Sequence, residues 1–215
     1  MSPVAPASIN RPAGDSVERI LAAAEKLFAG FGFDAVSMSD IAQHAGVSKS
    51  NVFHHFSSKG ELYVAVLNAA HRDFSALVDR LADDSGTFRQ RIGHFAQEHL
   101  RCILEQHQAS RLVLRDLLEN DTPRGQELAE KVFGANFASL VGIIRASQAR
   151  KELRTGVDPA MVAVMLIAAN VFFFQAHGVF KHFPDVAFAD DAPCYGDMLV
   201  DILLHGILPP DKGKT

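Results

Sequence analysis

The stretch "SMSDIAQHAGVSKSNVFHHFSSK", from Ser37 to Lys59, decides the fold. Ser37 or Ser39 can cap a first short helix. Gly46 stands where a helix that ends in a left-handed conformation needs glycine, and Ser48 can cap a second short helix directly afterwards. Two short helices joined by so tight a turn cross steeply. The pattern predicts a helix-turn-helix whose second helix lies in the major groove of DNA.

The charge in this stretch also favours DNA, although the chain as a whole is acidic. The formal net charge is −4, so the overall charge does not indicate a nucleic-acid partner. From residue 41 to residue 60, however, there is no aspartate or glutamate. A helix that approaches phosphates must avoid carboxylates and offer hydrogen-bond donors. The basic side chains offered here are His44, Lys49, His54, His55 and Lys59.

The second short helix begins with Lys49, Ser50 and Asn51, at the end that reaches base edges. An asparagine can pair bidentately with adenine. The adjacent histidines His54 and His55 point about 100° apart on a helix, and no cysteine or carboxylate completes a metal set beside them. The sequence therefore predicts DNA contacts in this helix and no metal site.

Taken in order, Asp40-Ile41-Ala42, Ala45-Gly46-Val47-Ser48, His55-Phe56 and Lys59 resemble the TetR/AcrR family of bacterial regulators. The resemblance covers about the first third of the chain. It implies a three-helix DNA-binding domain, followed by a long fourth helix and a larger all-helical domain. In that second domain the last two helices are expected to form a dimer.

The resemblance also bears on single positions of the reading helix. It implies that His55 contacts the DNA backbone or supports the turn. The family usually has a tyrosine at position 53, contacting phosphate through its hydroxyl, whereas Phe53 has no donor; Ser50 stands where glycine is common. The predicted DNA-contact set is Ser37, Ser39, Ser48, Lys49, Ser50, Asn51, Phe53, His54, His55 and Lys59.

The rest of the chain reads as successive helices, with no run of β-alternation between turn signals, so the predicted fold class is all-α. We expect a flexible arm over residues 1–14, a DNA-binding domain over 15–60 and a ligand-binding and dimerisation domain over 61–215. The predicted helices are Asp15–Phe31, Ser39–Ala45, Lys49–Phe56, Lys59–Leu81, Phe88–Gln106, Ala109–Glu119, Arg124–Arg150, Pro159–His182 and Cys194–Ile207.

The segment Ala160–Ala176 is apolar on every side, which is typical of a helix enclosed by protein or lipid. It is slightly short for a membrane span and contains Asn170 and Gln175. We therefore expect a helix buried at a subunit interface. The two cysteines favour a reducing compartment, and no stretch of signal-peptide type begins the chain, so a cytoplasmic protein is expected.

The predicted sensing domain carries few polar residues near its apolar stripes. His99 is either a core histidine with a hydrogen-bond partner or a ligand-binding group. Arg115 either belongs to a surface ion-pair ladder with Glu119 or pairs with an acidic or carbonyl ligand. Because ligand sites between helices are apolar with few polar anchors, the expected effector site is His99, Arg115, Phe137, Phe172 and Gln175.

Together these patterns predict a dimeric regulator, a repressor that a small molecule releases from a palindromic operator. No GxSxG, P-loop or HExxH motif indicates catalysis, and no cofactor is expected. The partners are a double-stranded DNA operator, a small-molecule effector and a second copy of the chain, without a membrane. Two alternatives remain: a DNA-binding adaptor of the same fold that senses nothing, and an enzyme acting in the C-terminal cavity.

Overall fold

The computed structural model describes residues 13–83, 85–118 and 126–206, and every regular element within these ranges is helical. The all-α prediction is confirmed. A π-helical segment over Ala129–Phe133 precedes the eighth α-helix. The α-helices are α1 (Ala13–Phe31), α2 (Met38–Ala45), α3 (Lys49–His55), α4 (Lys59–Ala70), α5 (Arg72–Asp83), α6 (Phe88–Glu105), α7 (His107–Leu118), α8 (Gly134–Ala149), α9 (Pro159–Phe180) and α10 (Ala192–His205).

The first core joins α1 to α4 around the ring of Phe28, which is fully buried. The Tyr63 ring of α4 meets Phe28 edge-on, with 4.8 Å between centroids. Leu112 of α7 is also fully buried in this core. Of the first four helices, α1 and α4 are therefore packed against α7 as well.

The second core lies between α5, α6, α8, α9 and α10. Aliphatic and phenylalanine side chains fill it. Burying one large apolar side chain completely stabilises the folded protein by about 1.5–3 kcal/mol. Its buried members are Phe74, Leu77, Val78, Leu81, Phe88, Ile92, Phe95, Ala96, Leu140, Ile144, Ala163, Leu166 and Val200.

The predicted caps of the helix-turn-helix are confirmed. The hydroxyl of Ser37 accepts from the backbone N–H of Asp40, whose carboxylate accepts in return from the Ser37 N–H at 2.9 Å. Gly46 ends α2 with φ of +64°, a conformation that disfavours side chains with a Cβ. Ser48 caps α3 by accepting from the backbone N–H of Asn51 at 3.1 Å.

The single helix predicted over Lys59–Leu81 is wrong, because the structure has two helices there, with a bend at His71. The backbone at His71 has φ of −91° and ψ of 0°. Its imidazole packs against the rings of Phe74 and Phe133, with centroids 4.8 and 5.0 Å away. No proline or glycine lies between residues 61 and 82, so no local signal marks the bend.

The predicted helix Arg124–Arg150 is also interrupted, by the π-helical segment before α8. A Cβ on Gly134 would collide with the carbonyl oxygen of Ala129, so only glycine fits at the end of that wide turn. Some predicted limits lie outside the described residues. They are the start of this predicted helix, the predicted helix ends at Glu119 and Ile207, and most of the predicted arm. The other limits agree within about one turn.

Lys59 fastens the loop between α1 and α2 to the start of α4. Its Nζ donates to the carbonyl oxygens of Phe33 at 2.9 Å and Val36 at 3.1 Å. A third carbonyl, that of Asp34, lies at 3.5 Å. The ammonium also sits 4.3 Å from the centroid of the Phe33 ring. A phosphate contact by Lys59, as predicted, would therefore require breaking bonds that hold this loop.

We expect Lys59→Met to lower the free energy of unfolding by about 1–3 kcal/mol, because the loop carbonyls lose a charged donor. Urea unfolding measures the change. Lys49→Met is the matched control, since Lys49 is exposed, and its effect should stay within about 0.5 kcal/mol. Wild-type stability with lost DNA affinity in Lys59→Met would instead make Lys59 a phosphate ligand.

A second expectation concerns His71, whose pKa is lowered to about 4 by burial. The unfolded chain binds this proton below about pH 6.5 and the folded chain only below about pH 4. The neutral ring therefore contributes stability above pH 6.5 that is lost as the pH falls towards 4, by about 1.4 kcal/mol per pH unit.

His71→Phe removes this titration and keeps a ring between Phe74 and Phe133. Urea unfolding of both proteins from pH 4.5 to 7.5 should show a shallower loss of stability in the variant. A difference between the two proteins that does not change with pH would contradict the assignment.

Candidate functional site

One side of α3 is open to solvent and bears polar and basic groups. We call Ser48, Lys49, Ser50, Phe53 and His54 the outer face of α3; all five are exposed. Phe53 is 45% exposed although it is aromatic, and the Nζ of Lys49 lies 5.9 Å from the centroid of its ring. The opposite side of the helix is held in the first core, where Val52 is fully buried.

Two of the predicted contact residues point inward from this face. His55 is half-buried, and its Nε2 lies 3.3 Å from the hydroxyl of Ser16 in α1. Asn51 is half-buried too, and its Oδ1 is enclosed without a hydrogen-bond partner among the described residues. Bidentate pairing with adenine needs that oxygen, so Asn51 would have to rotate to read a base as the sequence predicted.

Two carboxylates on the helices that flank α3, those of Asp40 and Glu61, accept hydrogen bonds at the starts of α2 and α4. The pKa of Asp40 is lowered by hydrogen bonds from the side chain and backbone of Ser37. The pKa of Glu61 is lowered in the same way by Ser57, whose N–H donates to it at 2.8 Å. Ser37 and the neighbouring Ser39 are themselves exposed at the start of α2.

A cavity of about 420 Å³ lies behind the DNA-binding helices; we call it the central cavity. It is bounded by the bend between α4 and α5, by α6 and α7, by Phe133 and Phe137, and by α9. Most of its lining is apolar, and no lysine or arginine is among the lining residues that the structure describes. The polar lining residues are His71, Asp73, His99, Cys102, Gln106 and Ser110.

Of the five predicted effector-site residues, the structure brings His99 and Phe137 together at the central cavity. Phe172 and Gln175 do not line it and are exposed on α9. Arg115 does not line it either, because its side chain extends from α7 towards the end of α1. A Cβ placed on Gly32 would lie 2.8 Å from the Nη2 of Arg115.

The sequence reasoning missed His71 and Cys102 as lining residues. His71 precedes Phe74 by three positions, and residues three apart lie on the same face of a helix. This spacing could have indicated that His71 faces the cavity together with Phe74. Cys102 is half-buried, and burial raises the pKa of its thiol, so it lines the wall as a neutral group.

Both cavity histidines are neutral at pH 7. The ring of Phe74 contacts both imidazoles, with centroids 4.9 Å apart for His99 and 4.8 Å apart for His71. Burial, with a smaller effect of the neighbouring His71, lowers the pKa of His99 to about 3. The central cavity therefore presents uncharged imidazoles, and Asp73 at its rim is bonded to Gln106.

The last two helices leave an apolar surface open. On α9 the exposed side chains include Met161, Met165 and Phe172, and on α10 they include Met198 and Ile202. We call these five the α9–α10 face. Within the described residues, α9 alone is long and apolar enough to cross a membrane, and 28% of its apolar window is buried.

Comparison with known proteins finds a family model and sequence relatives that match this chain. The model of the family "Bacterial regulatory proteins, tetR family" matches residues 20–66, which span most of α1, the helix-turn-helix and the start of α4. The transcriptional activator FasR of Mycolicibacterium smegmatis is 31% identical over 153 residues, covering 71% of this chain and 68% of FasR. The regulator RutR of Escherichia coli K12 is 36% identical over 105 residues, or 46% of each chain.

Solved structures agree over nearly the whole chain. A putative fatty acid metabolism regulator of Clostridium perfringens superposes with a TM-score of 0.74 at 18% identity, covering 89% of this chain and 100% of its own. FadR of Bacillus subtilis, solved with stearoyl-CoA, gives 0.73 at 17% identity, covering 89% and 99%. At such identities the likeness shows a shared fold. With the sequence relatives, it establishes that this chain belongs to the TetR family of transcriptional regulators.

Proposed function

We propose that this protein is a dimeric repressor that leaves a palindromic operator when the apolar part of a small-molecule effector fills the central cavity. The observation that carries the proposal is the double role of α7. Val113 and Leu114 line the cavity, while the adjacent Leu112 is buried in the core of α1 to α4. A ligand that displaces α7 must therefore also act on the helices that carry α3.

The DNA contact is proposed for the outer face of α3. Lys49 supplies charge near phosphates, and Ser50 and His54 supply hydrogen bonds. Phe53 offers an apolar edge suited to a thymine methyl group. His55 and Lys59 support this face from behind, through Ser16 and the loop carbonyls respectively.

A second copy of the chain is proposed to cover the α9–α10 face. Isolated exposed apolar residues are ordinary, but a contiguous patch marks an interaction site. Two copies of α9 and α10 would form a four-helix interface, and obligate interfaces of this kind usually bury more than ~2,000 Å². The two copies of α3 would then face successive major grooves, roughly 34–36 Å apart.

For the effector, the lining of the central cavity favours an apolar molecule with few polar groups. FadR of Bacillus subtilis was solved with stearoyl-CoA. An acyl chain of this kind suits an apolar cavity, so a long-chain acyl-CoA is the first effector to try with this protein.

The mechanism is a shift between conformers. The effector is held more tightly by the conformer whose two α3 helices are wrongly spaced for DNA. A hundredfold loss of operator affinity then requires about 2.7 kcal/mol of preference for that conformer.

An activator is the second candidate, because the relative FasR, which is 31% identical to this chain over 153 residues, is a transcriptional activator. Transcription in vitro from a promoter that contains the operator separates the two. A repressor lowers the transcript yield when it is bound, and an activator raises it.

The proposal is tested by selecting bound DNA from a random library and titrating the selected operator by fluorescence anisotropy. Stearoyl-CoA is then added to the complex. Selection of a palindrome and its release by the ligand are expected. Recovery of random DNA would refute operator recognition, and an operator complex indifferent to every ligand would favour the adaptor without a sensing role.

For the outer face of α3, we expect Lys49→Ala to weaken binding to all DNA sequences about equally. Because one phosphate contact is lost, the slope of log K against log salt should decrease by about 0.9 per half-site. Lys181→Ala, at the exposed end of α9, is the matched control and should leave the slope unchanged. Equal slopes for all three proteins would remove Lys49 from the interface.

For the α9–α10 face, we expect Met165→Glu to dissociate the dimer, because it places a charge in an apolar interface. Sedimentation velocity at micromolar concentration measures the state. Phe31→Glu is the control, since Phe31 is a similarly exposed apolar residue on α1. A wild-type protein that sediments as a monomer would contradict the proposed assembly.

A further inference from the structure

Asn170 holds the imidazole of His99 in one orientation. Asn170 lies fully buried in the middle of α9. Its Nδ2 lies 2.9 Å from the backbone oxygen of Ala96 and 3.1 Å from the Nδ1 of His99. Because a carbonyl oxygen can only accept, the amide atom that faces Ala96 must be the nitrogen.

This contact settles which nitrogen of His99 carries the proton. The amide nitrogen of Asn170 can only donate, so the Nδ1 of His99 must accept. A neutral imidazole has one N–H, and it is therefore at Nε2. The Nε2 atom has no hydrogen-bond partner among the described residues, and it is not enclosed. Since His99 lines the central cavity, this N–H is available to a molecule inside it.

The charges around the cavity restrict what that molecule can be. Among the described residues that line it there is no lysine or arginine, so a buried carboxylate would find no cation in this part of the wall, and an unpaired buried charge is costly. An ammonium group would meet the N–H of His99, which is a donor facing a donor, and the one carboxylate among the described lining residues, Asp73, already accepts a hydrogen bond from Gln106. The lowering of the pKa of His99 by burial keeps the ring in its neutral form across the working range.

We propose that the central cavity selects a mainly apolar ligand through one uncharged carbonyl oxygen, which accepts a hydrogen bond from the Nε2–H of His99. Ketones, esters and acyl thioesters carry such an oxygen. Asn170 is the positioning residue, because it fixes the tautomer without touching the ligand. The inference rests on the proposed function only in treating the occupant of this cavity as the effector.

The tautomer is tested directly in the full-length protein labelled with ¹⁵N-histidine. Long-range ¹H–¹⁵N correlation spectra at pH 7 should show His99 protonated at Nε2. Addition of 2-decanone should shift Nε2 more than Nδ1. In Asn170→Leu the single tautomer should give way to a mixture, which a purely structural role of Asn170 would not produce. A proton on Nδ1 in the wild type would overturn the proposal.

Selectivity is tested by equilibrium dialysis with four radiolabelled ten-carbon probes: 2-decanone, decanoate, decylamine and 1-chlorodecane. The wild type should bind 2-decanone at least tenfold more tightly than either charged probe. His99→Phe should weaken 2-decanone about fivefold, the loss of one hydrogen bond, and leave 1-chlorodecane unchanged. His94→Phe is the matched control, since it makes the same change on the exposed side of α6, outside the cavity lining, and it should leave the binding of all probes unchanged.

Tighter binding of decanoate would overturn the proposal, as would loss of the carbonyl preference in His94→Phe with its retention in His99→Phe. If His99→Phe does not fold, the ¹⁵N spectra and the wild-type probe series decide the question without it. These measurements need no DNA, so they test the chemistry of the cavity independently of the proposed regulatory function. If 2-decanone binds as expected and the operator complex ignores it, the effector role fails and the cavity chemistry stands.

Discussion

The burial of Leu112 in the first core is the contact on which the arrangement of the molecule depends. It brings a helix of the larger helical part into the core of α1 to α4, and a fully buried leucine contributes several kcal/mol to stability. The next two residues of α7 face the central cavity. The first core and the cavity wall thus share one helix, so the first core cannot be repacked without moving that wall.

The helix-turn-helix could be predicted from sequence because its determinants are local. Caps at Ser37 and Ser48 and the left-handed turn at Gly46 depend on residues within four positions of each other. The bend at His71 could not be predicted in this way. It depends on Phe133, which is 62 positions away in the chain, and no residue near His71 disfavours a continuous helix.

In the candidate site, too, some positions could be predicted from local sequence and others depend on distant residues. Helical spacing placed His99 on the inner face of α6, and the structure puts it at the cavity. Arg115 was misplaced because a basic residue at the edge of an apolar stripe can turn to either side. The side it takes depends on the position of Gly32, whose lack of a side chain leaves room for the guanidinium. Long, flexible side chains at such edges are poorly determined by periodicity alone.

The π-helical segment before α8 makes the cavity wall sensitive to the deletion of a single residue. A π turn contains one residue more than an α turn, so loss of one residue between Ala129 and Phe133 would restore regular α geometry. Residues on either side would keep their faces, because the wider turn absorbs the extra residue, and only the side chains within it, Phe133 at the cavity wall among them, would change position. In evolutionary terms, a single-codon deletion there would preserve the helix and its place in the fold. It would nevertheless give the descendant a different cavity wall, and so a different choice of ligand.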